Sequence, residues 1–348
     1  MNEGAYAECR PSPSNKVLVL FGPTASGKTA VLERLFAKNS KNSAYPAEII
    51  SADSMQVYRG MDIGTAKPSL EERSRLPHHL IDIREPNEQF NVGEFVRLAR
   101  EAILATQSRR ALPVVSGGTG FYLKNLILGL PASPPSDSSI RAALKTELAQ
   151  KGAAALMEEL AAGDPTSAQR IHINDQYRLL RALEVLRLSG RPLSSYAQTG
   201  GISGPLANSS QKLQFDAPPP PVFDFLILGL NRSRDELYRR INERCSAMFR
   251  QGLPDELRRL YEAGFTQADP GLKAIGYKEF FVEADDGKAG ISGDLAGVEA
   301  LIASNCRHYA KRQMTYFASI PGVIWIDASN EEKAAAEIRE KIKNFTGV

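Results

Sequence analysis

Cysteine is scarce in this chain. Cys9, Cys245 and Cys306 are the only three in 348 residues. They lie far apart and none belongs to a C-x-x-C pair, which argues against a disulfide framework and against structural zinc. Histidine is equally sparse: of the four, only His78 and His79 are adjacent, and none has metal-ligand spacing. That adjacent pair points two ways from most backbones and is assigned a structural part. No apolar run approaches the roughly 18 residues of a membrane span, and Met1 to Asn15 has no apolar core for a signal peptide. A reducing cytoplasm, no membrane partner and a monomer are therefore expected. An excess of one charge is missing too. The net charge is only +3, so any nucleic-acid partner must be met by a local patch. What is present, 43% apolar and 24% charged residues, suits a globular protein with one large α/β domain plus an insertion, or with two domains.

The most informative stretch is Gly22-Pro23-Thr24-Ala25-Ser26-Gly27-Lys28-Thr29. It follows the apolar run Val17 to Phe21 and leads into Ala30 to Phe36, which has helical spacing. Strand, glycine-bounded loop and helix form the context in which a G-x-x-x-x-G-K-[ST] pattern holds phosphate. Glycines let backbone N–H groups turn inward, the helix adds the positive end of its dipole, Lys28 adds a point charge, and Thr29 adds a hydroxyl for phosphate or Mg²⁺. The loop alone leaves open which phosphorylated molecule it holds, and whether that molecule is cleaved, copied or displaced.

Further strands are expected at Glu48–Ala52, Leu80–Ile83, Leu112–Ser116, Val222–Leu230 and Val323–Asp327, with helices over Val92–Thr106, Phe121–Leu130, Ser233–Arg250, Val298–Ser319 and Glu331–Phe345. The alternation predicts an α/β fold with a parallel sheet flanked by helices. From Pro131 the strand signals vanish and only helical spacing remains, strongest over Asp175–Leu188 and stopped by Ser189-Gly190-Arg191-Pro192. The expected organisation is a flexible tail over 1–15, a first core part over 16–133, a helical insertion over 134–199, a Gly/Ser/Pro-rich linker over 200–221, and a second core part over 222–348. Met55 to Pro68 reads as a long irregular loop, which is more often functional than idle. No internal repeat is visible.

Three sets of residues could carry chemistry. Asp53 sits just past a strand, at the sheet edge where ligands bind in open parallel folds. It could hold Mg²⁺, cap a helix, or take a proton from a nucleophile. Gly117-Gly118-Thr119-Gly120 ends a buried strand and allows close backbone approach to a ligand. That strand ends in Ser116 rather than in a metal-holding aspartate, which weakens a simple ATPase reading, although Asp53 or Asp82 could fill the role. The third set is basic: Arg178 and Arg181 share one helix face, Arg307/Lys311 and His308/Arg312 another, with Tyr309, Tyr316 and Phe317 interleaved, an arrangement suited to phosphates beside unstacked bases. The run Arg232, Arg234, Arg239, Arg240 and Arg244 could supply a second clamp on phosphate oxygens.

Taken together the blocks resemble the tRNA dimethylallyltransferase (tRNA isopentenyltransferase) family. The match rests on Gly22 to Thr29, Asp53-Ser54 with Tyr58, Gly60 to Pro68, Pro77 to Asp82, Gly117 to Gly120, Arg170-Ile171-His172 with Asn174-Asp175, Arg181 to Val185, Ala274 to Tyr277 and Lys311-Arg312-Gln313. The Gly60 to Pro68 block is far more specific than the phosphate loop. The resemblance implies a P-loop NTPase-like core, a helical tRNA-binding insertion, and transfer of a dimethylallyl group from dimethylallyl diphosphate to N6 of adenosine 37 in the anticodon stem-loop of tRNA, with Mg²⁺ as cofactor. It further implies catalytic parts for Asp53 as proton acceptor, Thr29 as metal ligand and Arg240 as diphosphate clamp. Implied tRNA contacts are Asp53, Ser54, Met55 and Gln56; Thr119; Arg141; Tyr177, Arg178, Leu179, Leu180 and Arg181; Lys273, Ala274, Ile275, Gly276, Tyr277 and Lys278; and Lys311, Arg312, Gln313, Met314, Thr315, Tyr316, Phe317 and Ala318. The 200–221 linker is longer and richer in proline than the family pattern. Three competing readings are an adenylate isopentenyltransferase, a nucleotide kinase or NTPase, and an RNA-binding module without turnover.

Overall fold

The computed structural model describes residues 15–38, 46–131, 133–196, 223–283 and 289–347. The expected tail, apart from Asn15, and the expected 200–221 linker lie outside the described residues.

β1 (Lys16–Phe21) is apolar after its first residue and buried on both faces, as a central parallel strand requires. It feeds the phosphate-loop turn and α1 (Lys28–Phe36). β2 (Ala47–Ser51), α2 (Leu70–Arg75) and the two-residue β3 (His78–His79) follow. α3 (Val92–Ser108) starts at a reciprocal capping box between Asn91 and Glu94. β4 (Leu112–Gly117) is wholly buried and turns directly into α4 (Gly120–Leu128). Next come α5 (Ser138–Gly163), α6 (Pro165–Arg170) and α7 (Gln176–Ser189). The sheet resumes with β5 (Asp224–Asn231), and the Ser233 side chain caps α8 (Arg234–Arg250). α9 (Leu253–Glu262), the hairpin β6 (Phe281–Glu283) and β7 (Ala289–Ile291), α10 (Leu295–Phe317), β8 (Ile324–Asp327) and α11 (Glu331–Thr346) complete the chain.

The main sheet has six parallel strands in the order β3-β2-β4-β1-β5-β8, so the expected α/β sheet flanked by helices is found. Parallel pairing throughout places the carboxyl ends of β1, β2, β4 and β5 at one edge. One core packs α1 and α11 on the sheet through Val31, Leu35, Ile338 and Ile342. Another joins α8, α9 and α10 to the loop after β2 through Met61, Ile241, Met248, Leu257 and Ile302. Leu128–Gly204 forms a compact unit separate from the rest of the chain. Its own core gathers Leu144, Leu156, Leu160, Leu179 and Leu183.

One expected strand is absent. Pairing at the sheet edge stops at His79, and Leu80–Ile83 turns instead of extending, with Leu80 at φ 62° and Asp82 at φ 56°. The histidines themselves form the edge strand. His79 Nε2 meets Glu48 Oε2 at 2.7 Å, which fits the structural part assigned to the pair. The turn serves Asp82, whose carboxylate takes Lys67 Nζ at 2.6 Å and Arg73 at 2.9 Å. Helices α2 and α9 and the β6–β7 hairpin were not expected. α9 begins almost where α8 ends, and left-handed Gly252 (φ +99°) makes the abrupt change of direction.

Candidate active site

The phosphate loop spans from the end of β1 to the start of α1. Gly27 takes φ +95°, and the amino end of α1 has no side-chain cap, so its first N–H groups stay available to an anion. The carbonyl side of the loop is held by arginines of the second core part. Arg232 Nε donates to the Ser26 carbonyl and Arg240 Nε to the Ala25 carbonyl, both at 2.9 Å, while Arg244 donates to Thr24 Oγ1 at 3.0 Å. Lys28 Nζ donates to the Gly22 and Pro23 carbonyls at 2.8 and 3.0 Å. Its pKa is lowered to about 8, first by burial and then by the charge of Arg244, with Asp53 opposing the fall. Ser26 is fully buried, and its Oγ has no hydrogen bond among the described residues.

Asp53 stands beyond β2 at the same edge. Its Oδ1 accepts the Met55 N–H at 2.9 Å and the Gln56 N–H at 3.4 Å, an Asx turn that fixes the carboxylate and leaves Oδ2 without a hydrogen bond among the described residues. Gly117 lets the neighbouring strand come close, since a Cβ there would lie 2.1 Å from the Ala52 carbonyl oxygen. The glycine loop is tied to Asp53's neighbour by Ser54 N–H donating to Thr119 Oγ1 at 3.0 Å. Gln313 of α10 joins the two loops: its Oε1 accepts the Thr24 N–H at 2.9 Å, and its Nε2 donates to the Gly118 carbonyl at 2.7 Å. One turn earlier on α10, Tyr309 is pushed up to about 12 by burial, with the Asp53 charge adding, so its hydroxyl remains a proton donor.

Most of these groups, though not Arg232, Gly117 or Thr119, line one cavity of about 510 Å³. The phosphate loop, Arg240 and Arg244 supply its cationic lining, Asp53, Tyr309 and Gln313 further polar groups, and Ile241, Cys245, Met248, Ile275, Ile302 and Cys306 an apolar wall. Gly64, Thr65 and Ala66, from the loop that looked functional in the sequence, form another side. That loop is organised by Glu256 of α9, a residue the sequence did not single out because α9 itself was missed. The buried Glu256 carboxylate accepts the N–H groups of Asp62, Ile63 and Gly64 at 3.0, 2.8 and 3.1 Å, and the Tyr277 hydroxyl at 2.6 Å. Of the two aspartates considered as metal holders, Asp82 is committed to Lys67 and Arg73, and only Asp53 lines the cavity.

The remaining candidates divide by burial. Lys311, Arg312 and Thr315 are exposed on α10, as is Ala318 just beyond its end, with Met314 and Tyr316 half-buried; a shallow groove runs along Lys311, Arg312, Thr315 and Tyr316. Gln313 and Phe317 face inward, and Phe317 packs on Phe21 at 4.6 Å. Lys273 and Lys278 are exposed, Ala274, Ile275 and Gly276 line the cavity, and Tyr277 is fully buried. In the Leu128–Gly204 unit, Arg141 lies 4.8 Å from the exposed Tyr177 ring, Arg178 pairs with Asp175, and Arg181 pairs with buried Glu184 at 2.8 Å. Leu179 and Leu180 are core residues there.

An anion-binding loop, a fixed carboxylate and an apolar wall in one cavity define a transferase site for a substrate with a charged head and an apolar tail. Residues 56–319 match the family model described as IPP transferase, and the chain belongs to that family. It is 42% identical over 314 residues to the tRNA dimethylallyltransferase of Geobacter sulfurreducens, covering 90% of this chain and 92% of the relative. It is 40% identical over 335 residues to that of Geobacillus thermodenitrificans, covering 96% and 97%. The crystal structure of the tRNA isopentenylpyrophosphate transferase from Bacillus halodurans superposes with a TM-score of 0.62 at 35% identity, covering 96% of this chain and 97% of that one.

Glu256→Gln replaces an acceptor of several N–H groups with an amide that also donates. The variant is expected to lose about 2–3 kcal/mol of stability, read as a lower urea midpoint at unchanged slope. An unchanged midpoint would show that the loop holds itself without Glu256.

Proposed function

We propose that the chain transfers a dimethylallyl group from dimethylallyl diphosphate to N6 of adenosine 37 in tRNA, releasing diphosphate. The carrying observation is the single cavity lined together by the phosphate loop, Asp53 and an apolar wall. The diphosphate lies on the loop amides and Lys28, with Arg240 as an added clamp, so that charge developing on the leaving oxygen meets fixed donors. The prenyl chain lies on the apolar wall beside Ile241, Met248 and Ile302. As the bond from prenyl carbon to oxygen breaks, N6 forms the new bond to that carbon, and its proton passes to Asp53 Oδ2. Gln313 and Tyr309 orient the groups around that carboxylate.

Transferases that use prenyl diphosphates generally need a divalent metal. Among the described residues no three His, Cys, Asp or Glu side chains gather into a metal cage. The exposed Thr29 hydroxyl at the loop is the sort of ligand that suits Mg²⁺, which keeps several waters and leans on substrate phosphates. Thr29 would hold it, and the ion would neutralise charge on the leaving group.

The target base must leave the anticodon-loop stack to reach the cavity. Ser54 to Gln56, Thr119 and the exposed faces of Lys273, Lys278, Lys311 and Arg312 are the tRNA contacts of the core. Arg141, Tyr177 and Arg178 serve in the insertion, where Leu179, Leu180 and Arg181 hold the helix in place.

Transfer to AMP and to an A36-A37-A38 anticodon stem-loop is the direct comparison. The stem-loop is expected to be prenylated and AMP left unmodified, whereas efficient AMP prenylation with an inert stem-loop contradicts the reading. In the same assay Asp53→Ala is expected to lower transfer by roughly 10²-fold or more, with tRNA binding changed by only a few-fold. Survival of catalysis removes Asp53 as the proton acceptor.

Lys28 sets a pH dependence for donor binding. Its lowered value of about 8 means that it is charged below that pH and neutral above it. Bound diphosphate favours the charged form, so binding above pH 8 takes up a proton, and affinity falls by up to about tenfold per pH unit. Calorimetric titration with dimethylallyl diphosphate from pH 7 to 9.5 reads this, and Lys28→Met is expected to abolish the slope. A flat wild-type profile contradicts it.

A further inference from the structure

The apolar wall of the cavity ends in a floor. α8 lines the cavity with Arg240, Ile241, Arg244, Cys245 and Met248, and α10 with Ile302, Cys306, Tyr309 and Gln313, spacings that put each set on one helix face. Both faces are graded. Arg240 and Arg244 reach the phosphate loop at the Ala25 carbonyl and Thr24 Oγ1, and Met248 lies one turn beyond Arg244, about 6 Å along the helix. On α10, Gln313 accepts the Thr24 N–H, and Ile302 lies three turns before it, about 16 Å. We infer that Met248, together with Ile302, closes the apolar end of the cavity and restricts the transferred prenyl group to a single isoprene unit. This rests on the placement of diphosphate and prenyl chain proposed above.

Cross-links between the helices fix their register. Arg307 Nη1 donates to Asn242 Oδ1 at 2.7 Å, and Ser246 Oγ donates to a Glu299 carboxylate oxygen. The later residue on α8 meets the earlier one on α10, so the helices run in opposite directions and both faces leave the phosphate loop together. Met248 and Ile302 therefore stand within about a turn of each other along the pair. Each is the last lining residue of its helix on the side away from the loop. They are 6% and 1% exposed and belong to one core. Methionine is an adaptable side chain, but Met248 is held in that core. Phe249 stacks on Phe280 there at 5.8 Å, and neither ring lines the cavity. A packed interior of this kind resists the insertion of extra methylenes.

The other linings of the cavity are committed to the diphosphate and to the adenine. A longer chain can extend only along the wall, where its second isoprene unit would have to displace Met248 or Ile302. One methylene in a hydrophobic pocket already discriminates by about 10- to 200-fold, and an isoprene unit adds five carbons. Met248→Ala removes Cγ, Sδ and Cε, and Ile302→Ala removes Cγ1, Cγ2 and Cδ1. Together the two truncations vacate about the space that the added unit needs.

The test compares dimethylallyl diphosphate with geranyl diphosphate, the donor one isoprene unit longer, by calorimetric titration of the full-length protein in Mg²⁺ buffer. The wild type is expected to bind the shorter donor tighter by roughly 10²-fold or more. Met248→Ala should narrow that ratio about tenfold or more, chiefly by gaining affinity for geranyl diphosphate, and Met248→Ala with Ile302→Ala should narrow it further. Ile302→Ala alone reads the same floor from α10, so the idea stays testable if the α8 variant does not fold. Leu260→Ala truncates the same core without touching the cavity and should leave the ratio within about twofold. Equal binding of both donors by the wild type, an unchanged ratio in the folded floor variants, or an equal shift in Leu260→Ala would each overturn the floor. These titrations need no tRNA. A wild type that shows the expected ratios but transfers no prenyl group to tRNA contradicts the proposed reaction and leaves the floor standing, whereas binding of neither donor removes both.

Discussion

Positive charge crowded around a short loop is the constraint on which this site depends. Lys28, Arg232, Arg240 and Arg244 converge on the turn between β1 and α1, and the proton of Lys28 is loosened first by burial and then by the nearby charge of Arg244. Backbone carbonyls absorb part of the charge, because each of these side chains except Arg244 donates to a carbonyl of the loop. Carboxylates absorb more: Glu236 pairs with Arg232, and Glu331, at the start of α11, lies 3.4 Å from Arg232 and 3.5 Å from Arg240. The result is a concave surface of N–H and cationic groups that an anion completes. A leaving diphosphate gains more from such a surface as its charge grows, which is how a binding loop becomes a catalytic one.

A second requirement is that Asp53 face the same cavity without being neutralised by that charge. The sheet meets it by spacing. β2 and β1 are separated by β4, so Asp53 and Lys28 approach from strands that are not neighbours. The glycine loop closes the interval, drawn against Ala52 by the missing side chain of Gly117. Gln313 then ties that loop to the phosphate loop with an uncharged amide, which adds no charge to a crowded place.

Much of this was legible in the sequence because it is local. The phosphate loop carries its own turn chemistry, Asp53 and Gly117-Gly118 directly follow apolar runs, and the alternation of periods gave the parallel sheet. What escaped is either tertiary or hidden in short elements. Glu256 organises a loop almost two hundred positions away, through a helix that follows α8 too closely to be spaced apart from it. Cys245 and Cys306, far apart in sequence, share one cavity wall because α8 and α10 belong to one core. The Leu80–Ile83 run has strand composition, yet its carboxylate is drawn to Lys67 and Arg73 and the backbone turns to deliver it. Among the implied contact stretches, helical period separates exposed Lys311, Arg312 and Thr315 from inward-facing Gln313 and Phe317, a division that a run of consecutive residues conceals.

The central claim is that the loop holds the diphosphate of a prenyl donor as a leaving group. The most direct measurement is incubation of the protein with labelled dimethylallyl diphosphate and bulk unmodified tRNA, followed by digestion and nucleoside analysis. The account requires label in N6-(dimethylallyl)adenosine, with one diphosphate released per group transferred. Release of diphosphate without label in tRNA, or phosphate release from ATP in the absence of a prenyl donor, would contradict it.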